Sequence, residues 1–174
     1  RLYSVPHCIA TNSGTAALHV AIASLGVGAG DQVITSPITD MGTLVGILFQ
    51  GAIPIFADVD PHTYNMDPRS IEMNITPRTK VILAVHLAGN PCDMDAIMAL
   101  AEERGIKVVE DCAQSYLCAY KGRLAGTIGD FGCFSLNDFK HISAGDGGMV
   151  VTRDPELAQQ AAYYSDKHYH RDGS

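Results

Sequence analysis

Residues 80–87 read KVILAVHL, and from Val81 to Val85 no polar side chain interrupts the run. A strand with one wet face alternates apolar and polar residues, whereas a strand covered on both faces is apolar throughout. The stretch therefore predicts a central parallel strand. Downstream, Asp93 to Arg104 reads as a helix and GIKVVED (105–111) as a second strand. Upstream, DQVITS (31–36) and IPIFADV (53–59) read as strands on either side of a helix from Asp40 to Gln50. The alanine-rich GTAALHVAIASL (14–25) reads as a buried helix, with GVGAGD as its glycine stop and turn. Asp67-Pro68 and Asp154-Pro155 each pair an N-cap carboxylate with a first-turn proline and open further helices. FGCFSL (131–136) and GMVVT (148–152) add two strands. Alternating strands and helices demand crossover connections, so the expected fold class is α/β, a three-layer α/β/α arrangement around a mostly parallel sheet. The crowding of strands between 117 and 152 predicts a mixed edge.

Composition narrows the function classes. With 174 residues, 47% of them hydrophobic, and no low-complexity tract, the chain reads as one globular unit. A net charge of −7 offers no basic stripe for a phosphate backbone, so nucleic acid is not an expected partner. No apolar run is long enough to cross a bilayer, and Arg1 to Ala10 has no signal-peptide design. Cys8, Cys92, Cys112, Cys118 and Cys133 are odd in number and form no CxxC pair, which argues against a disulfide framework and against a zinc site. They read as small buried apolar residues in a reducing, cytoplasmic protein.

In an open α/β sheet ligands collect beyond the carboxyl ends of the strands. Ser13-Gly14-Thr15 precedes the first helix, where free N–H groups and the Thr15 hydroxyl make either a phosphate seat or a plain N-cap. Asp111 ends a strand, as a turn-capping carboxylate or as a partner for a protonated ring nitrogen, and Gln114 lies three residues later. Lys140 lies beyond FGCFSL, five residues after Ser135 and ahead of Gly145-Asp146-Gly147-Gly148, whose glycines allow positive φ and close backbone approach. A phosphate seat, a carboxylate for a ring nitrogen and a lysine for an aldehyde are together the requirements of pyridoxal 5′-phosphate.

The segments TNSGTAALHVAI, VHLAGNPCDMDAI, VVEDCAQS, KGRLAGTIGDFGCFS and KHISAGDGGMV, in this order, resemble the DegT/DnrJ/EryC1/StrS family of aminotransferases. The resemblance implies a pyridoxal-phosphate enzyme of fold type I (aspartate aminotransferase-like), in which Lys140 forms the Schiff base and Asp111 keeps the pyridinium nitrogen protonated. Gln114 would bond near the ring's phenolic oxygen, and Ser13, Gly14, Thr15 and Ser135 would surround the phosphate. It implies amino transfer from glutamate or glutamine to a keto sugar, commonly nucleotide-linked, by a cytoplasmic homodimer in nucleotide-sugar biosynthesis. Family members are longer, with residues before the SGT segment and a smaller C-terminal domain, so residues 1–174 are expected to form the cofactor-binding large domain or part of it, and such a part alone is expected to be inactive. After DQVITS the family often carries an aromatic that stacks on the ring, where this chain reads Pro37-Ile38-Thr39-Asp40-Met41, which leaves Met41 or a different residue to cover the ring. His86 and His141 read as hydrogen-bonded structural residues. The other readings are a related sugar dehydratase, in which histidine replaces the lysine, a non-catalytic pyridoxal-phosphate-binding sensor, and an α/β nucleotide-binding domain. The last lacks a GxGxxG or GxxxxGK loop here.

Overall fold

The computed structural model describes residues 3–167; Arg1, Leu2 and 168–174, and with them the ends of the expected 1–174 domain and most of DKHYHRDG, lie outside the described residues. One sheet is built from β1 (His7–Thr11), β2 (Gln32–Thr35), β3 (Ile53–Phe56), β4 (Thr79–Val85), β5 (Lys107–Asp111), β8 (Phe131–Ser135) and β9 (Gly148–Thr152), in the order β1-β9-β8-β5-β4-β2-β3. A separate hairpin joins β6 (Ala119–Tyr120) to β7 (Arg123–Leu124). From β3 to β8 all neighbours are parallel, while β9 runs antiparallel to both β8 and β1. Only β9 is reversed, so the other six strands of this sheet present their carboxyl ends on one side.

Side chains that alternate along the central strands fill two cores. Val33, Val81, Leu83 and Val109 pack with α1 (Gly14–Ser24), α2 (Met41–Phe49) and α5 (Pro155–Ser165). Ile34, Ile82, Ala84 and Val108 pack on the opposite face with α3 (Pro68–Asn74) and α4 (Met94–Arg104). This is the expected three-layer arrangement, and Val81 to His86 is its fully covered centre. The helices begin where the capping chemistry says: Ser13, Asp40, Asp67, Asp93 and Asp154 each accept an N–H of the first turn. Gly105, in the left-handed region at φ 65°, ends α4.

Three expectations need correction. The edge strand β1 has no counterpart in the sequence reading, because HCIAT lacks a buried run and is held by pairing with the distant β9. The strand expected over 53–59 stops at Phe56, and as the opposite edge it tolerates Pro54. Cys8 is exposed on β1 and Cys118 half-buried, while Cys92, Cys112 and Cys133 are buried; all five are free thiols. Among the described residues no helix is long and apolar enough to cross a membrane.

Helix α1 owes its close approach to α2 to Gly46: a Cβ there would stand 2.8 Å from the Cα of His19. Intrinsic propensity favours alanine in a helix by about 1 kcal/mol, but backbone atoms cannot rotate aside and overpacking costs about 1–3 kcal/mol. Gly46→Ala is therefore expected to lower stability, read as a reduced urea midpoint; a raised midpoint would show that α2 slides freely on α1.

Candidate active site

The cleft at the common carboxyl side of the strands has a volume of about 480 Å³, and Ser13, Gly14, Thr15, Asp111, Gln114, Ser135 and Lys140 all line it. They arrive on three supports, the start of α1, the end of β5 with its turn, and the end of β8 with the loop after it. Ser13 ends the β1–α1 link, and its Oγ accepts the Ala16 N–H at 3.0 Å. The capping role is thus real, and it uses the third N–H of the helix. The N–H groups of Gly14 and Thr15, first and second in α1, have no carbonyl within the helix to bond, and they carry the positive end of its dipole. Gly14 lies so close to β8 that a Cβ would fall 2.6 Å from the Cβ of Ser135. The Ser135 Oγ accepts the Asn137 N–H at 3.4 Å, leaving its proton for a ligand.

Asp111 and Glu110 are adjacent on β5 and both buried, yet they meet opposite conditions. Burial opposes ionisation of Glu110, but His86 Nε2 at 2.9 Å and the N–H groups of Gly126, Ile128 and Gly129 outweigh it and hold the carboxyl below the usual range. For Asp111 burial prevails and raises the pKa, although the Ala113 N–H at 3.0 Å and the Thr43 hydroxyl at 2.8 Å favour the charged form. Both Asp111 oxygens therefore hold one donor and keep room for a second. The His86 Nδ1 accepts the Cys92 N–H at 3.1 Å, which places the ring proton on Nε2, facing Glu110. His86 is the hydrogen-bonded strand-end histidine that the sequence suggests. His86, Glu110 and Cys112 also have the donor types of a metal site, but burial pushes the Cys112 thiol up to about 12, and the histidine and glutamate atoms are bonded to one another and to backbone N–H groups. The trio is a closed structural network.

Lys140 is half-buried on the loop between β8 and β9. That loop closes at its base through Leu136 N–H to Gly147 carbonyl (2.8 Å) and Ala144 N–H to Leu136 carbonyl (2.9 Å). Inside it, Asn137 receives the N–H groups of Phe139 and Lys140 and turns the chain toward the cleft. Gly148, at the end of the glycine run, would place a Cβ 2.3 Å from the Ser13 carbonyl oxygen, so the run needs glycine for close packing as well as for the positive φ of Gly145 and Gly147. Gln114 Oε1 accepts the Ala88 N–H at 2.9 Å, which leaves the NH2 end as the donor available to a ligand. Ala88 itself adopts φ 50°.

Sequence reasoning missed Thr39 and Thr43, which line the cleft beside Asp111. Thr39 lies beyond the carboxyl end of β2, a position where ligands are expected to collect; Thr43 is inside a helix, where no such signal exists. Of the two alternatives for the ring cover, Met41 is 58% exposed and does not line the cleft, whereas its neighbour Asp40 does.

Comparison with known proteins gives the same outline. The chain is 49% identical over 154 residues to Protein MosB of Rhizobium meliloti, covering 88% of this chain and 30% of that protein. It is 48% identical over 160 residues to a UDP-N-acetyl-3-dehydro-alpha-D-glucosamine 3-aminotransferase of Acidithiobacillus ferrooxidans, covering 91% of this chain and 43% of the enzyme. It thus spans less than half the length of these relatives. Its backbone superposes on DesV of S. venezuelae, solved in complex with a ketimine intermediate, with a TM-score of 0.94 at 37% identity, over 99% of this chain and 47% of DesV. The model of one family, the DegT/DnrJ/EryC1/StrS aminotransferases, matches residues 1–173. On this match and the backbone superposition, the chain belongs to the DegT/DnrJ/EryC1/StrS aminotransferase family.

Proposed function

We propose that residues 1–174 are the pyridoxal-phosphate-binding large domain, or part of it, of an aminotransferase that moves an amino group from glutamate or glutamine to a keto sugar, commonly one linked to a nucleotide. The observation that carries this reading is the convergence of Lys140, Asp111 and the α1 N-terminus on one cleft from separate strand ends. The similarity to a UDP-sugar 3-aminotransferase supports the substrate class. A homodimer in the cytoplasm is the assembly and place we assign to the whole protein.

The residues present fit the cofactor. The Gly14 and Thr15 N–H groups, the Thr15 and Ser135 hydroxyls and the helix dipole suit a dianionic phosphate, with Ser13 shaping the turn. Asp111 suits a protonated ring nitrogen: a buried carboxylate stabilises an N–H⁺ beside it and raises that nitrogen's pKa. The Gln114 NH2 suits a phenolate oxygen. Pyridoxal phosphate, when bound, supplies the electron sink that amino transfer needs. Lys140 is the residue that would anchor it, and the same amine would accept and return a proton at the reacting carbon. With Lys140 in place, the dehydratase reading has no replacement histidine at that position; His141 is the neighbouring residue.

Added pyridoxal phosphate is expected to give wild-type protein a visible absorption band of bound cofactor that Lys140→Ala lacks; an identical band in both would remove Lys140 as the anchor. Adding glutamate or glutamine to the full-length dimer should bleach that band, and a band that both leave untouched would favour the sensor reading.

Asp111 generates a second expectation. Its folded pKa lies above the ordinary carboxylate value of about 4, so across the interval above that value the folded state binds more protons than the unfolded state, and stability falls as pH rises. Asp111→Asn removes that slope. The unliganded variant should gain on wild type between pH 4 and pH 7 in urea midpoint, while its cofactor affinity drops at least tenfold, about the size of one charge-assisted hydrogen bond. Equal differences in midpoint at both pH values would show that the buried carboxylate costs nothing.

A further inference from the structure

We propose that Thr43 is a positioning residue for Asp111, its hydroxyl held as a donor by Thr39 so that the carboxylate is fixed in orientation toward a ligand N–H in the cleft. The inference rests on the pyridoxal-phosphate reading of that cleft. Thr43 is buried on the first turn of α2, and Thr39 lies just ahead of the Asp40 cap. The two Oγ1 atoms are 2.6 Å apart, and Thr43 Oγ1 stands 2.8 Å from Asp111 Oδ2. Each hydroxyl has one proton. An ionised carboxylate only accepts, so Thr43 must direct its proton to Asp111, and the short contact with Thr39 must then be filled by the Thr39 proton. The chain of donors is therefore polarised in one direction, toward the carboxylate, and each bond strengthens the next.

The second oxygen, Oδ1, is held by the Ala113 N–H from the turn after β5. Two donors from two elements, one on each oxygen, fix the carboxylate plane. Without the Thr43 hydroxyl, Oδ2 would be buried with no donor among the described residues, and the side chain could turn about its terminal bond. The threonine methyl keeps the site packed, which makes valine the shape-conserving probe and serine the hydroxyl-conserving one. The titratable groups around Asp111 are His86 on the β4 end, Cys133 on β8 and Lys140 on the loop after it, with Glu110 on its own strand, Cys112 just beyond that strand's end and Asp40 across the cleft. Substitution of Thr43 or Thr39 changes none of them.

The test tracks the Asp111 carboxyl carbon by NMR through a pH titration of the unliganded protein, and measures pyridoxal phosphate affinity by absorbance, in wild type, Thr43→Val, Thr43→Ser and Thr39→Val. Thr43→Val should titrate at higher pH than wild type and bind the cofactor roughly tenfold more weakly, as for loss of a hydrogen bond to a charged group. Thr43→Ser should restore both, and Thr39→Val should shift both in the same direction by less. Wild-type values in Thr43→Val, or failure of serine to rescue, would overturn the proposal. A wild-type protein that binds no pyridoxal phosphate sinks the cofactor reading instead, and the titration then decides by itself whether Thr43 governs Asp111.

Discussion

The N-terminus of α1 presses against the ends of β8 and β9 with no space for a side chain between them, and the geometry of the cleft depends on that contact. At Gly14 the obstacle would be Ser135, and at Gly148 the carbonyl of Ser13. These two glycines let the positive end of a helix, a serine hydroxyl and the loop bearing Lys140 meet at one place. The reversal of β9 is what permits it. Because β1 pairs with β9 antiparallel, β1 runs with the parallel set, and the helix it feeds begins on the same side as every other parallel strand end. An exclusively parallel order at this edge would need a longer crossover between β8 and β9 in place of the loop that carries Lys140.

Electrostatics divides β5 between two tasks. Glu110 points to the hairpin side and is saturated with donors, so it ties β4 and the 126–129 turn to the sheet. Asp111 points to the α2 side with one donor on each oxygen, and burial works against its charge. A saturated buried carboxylate stabilises the fold; an undersupplied one is a cost to the unliganded chain that a cationic partner offsets. The two lie side by side because successive residues of a strand face opposite ways.

Much of this is legible in the chain itself. KVILAVHL, IKVVED and the alanine-rich run from Gly14 carry their burial in their composition, and the aspartates before α2, α3, α4 and α5 mark helix starts through bonds that span two or three residues. Lys140, Asp111, Gln114 and the Ser13-Gly14-Thr15 turn all lie at or just beyond strand ends, the positions an open α/β sheet reserves for ligands. The residues that escape are of another kind. HCIAT has no pattern of its own that distinguishes an edge strand from a loop, and Met41 offers an apolar side chain where the cleft instead takes Asp40.

The elements, their order and the residue types at the strand ends are set by the sequence, because periodicity, capping and turn chemistry act over a few residues. Which of those ends meet is settled only in three dimensions. The Thr43–Asp111 bond joins residues 68 positions apart, and nothing local to either predicts it. The ambiguity at Ser13 resolves in the same way: its side chain does cap the helix, while the N–H groups next to it remain as donors, a division that depends on how α1 is seated against β8 and not on the letters Ser-Gly-Thr.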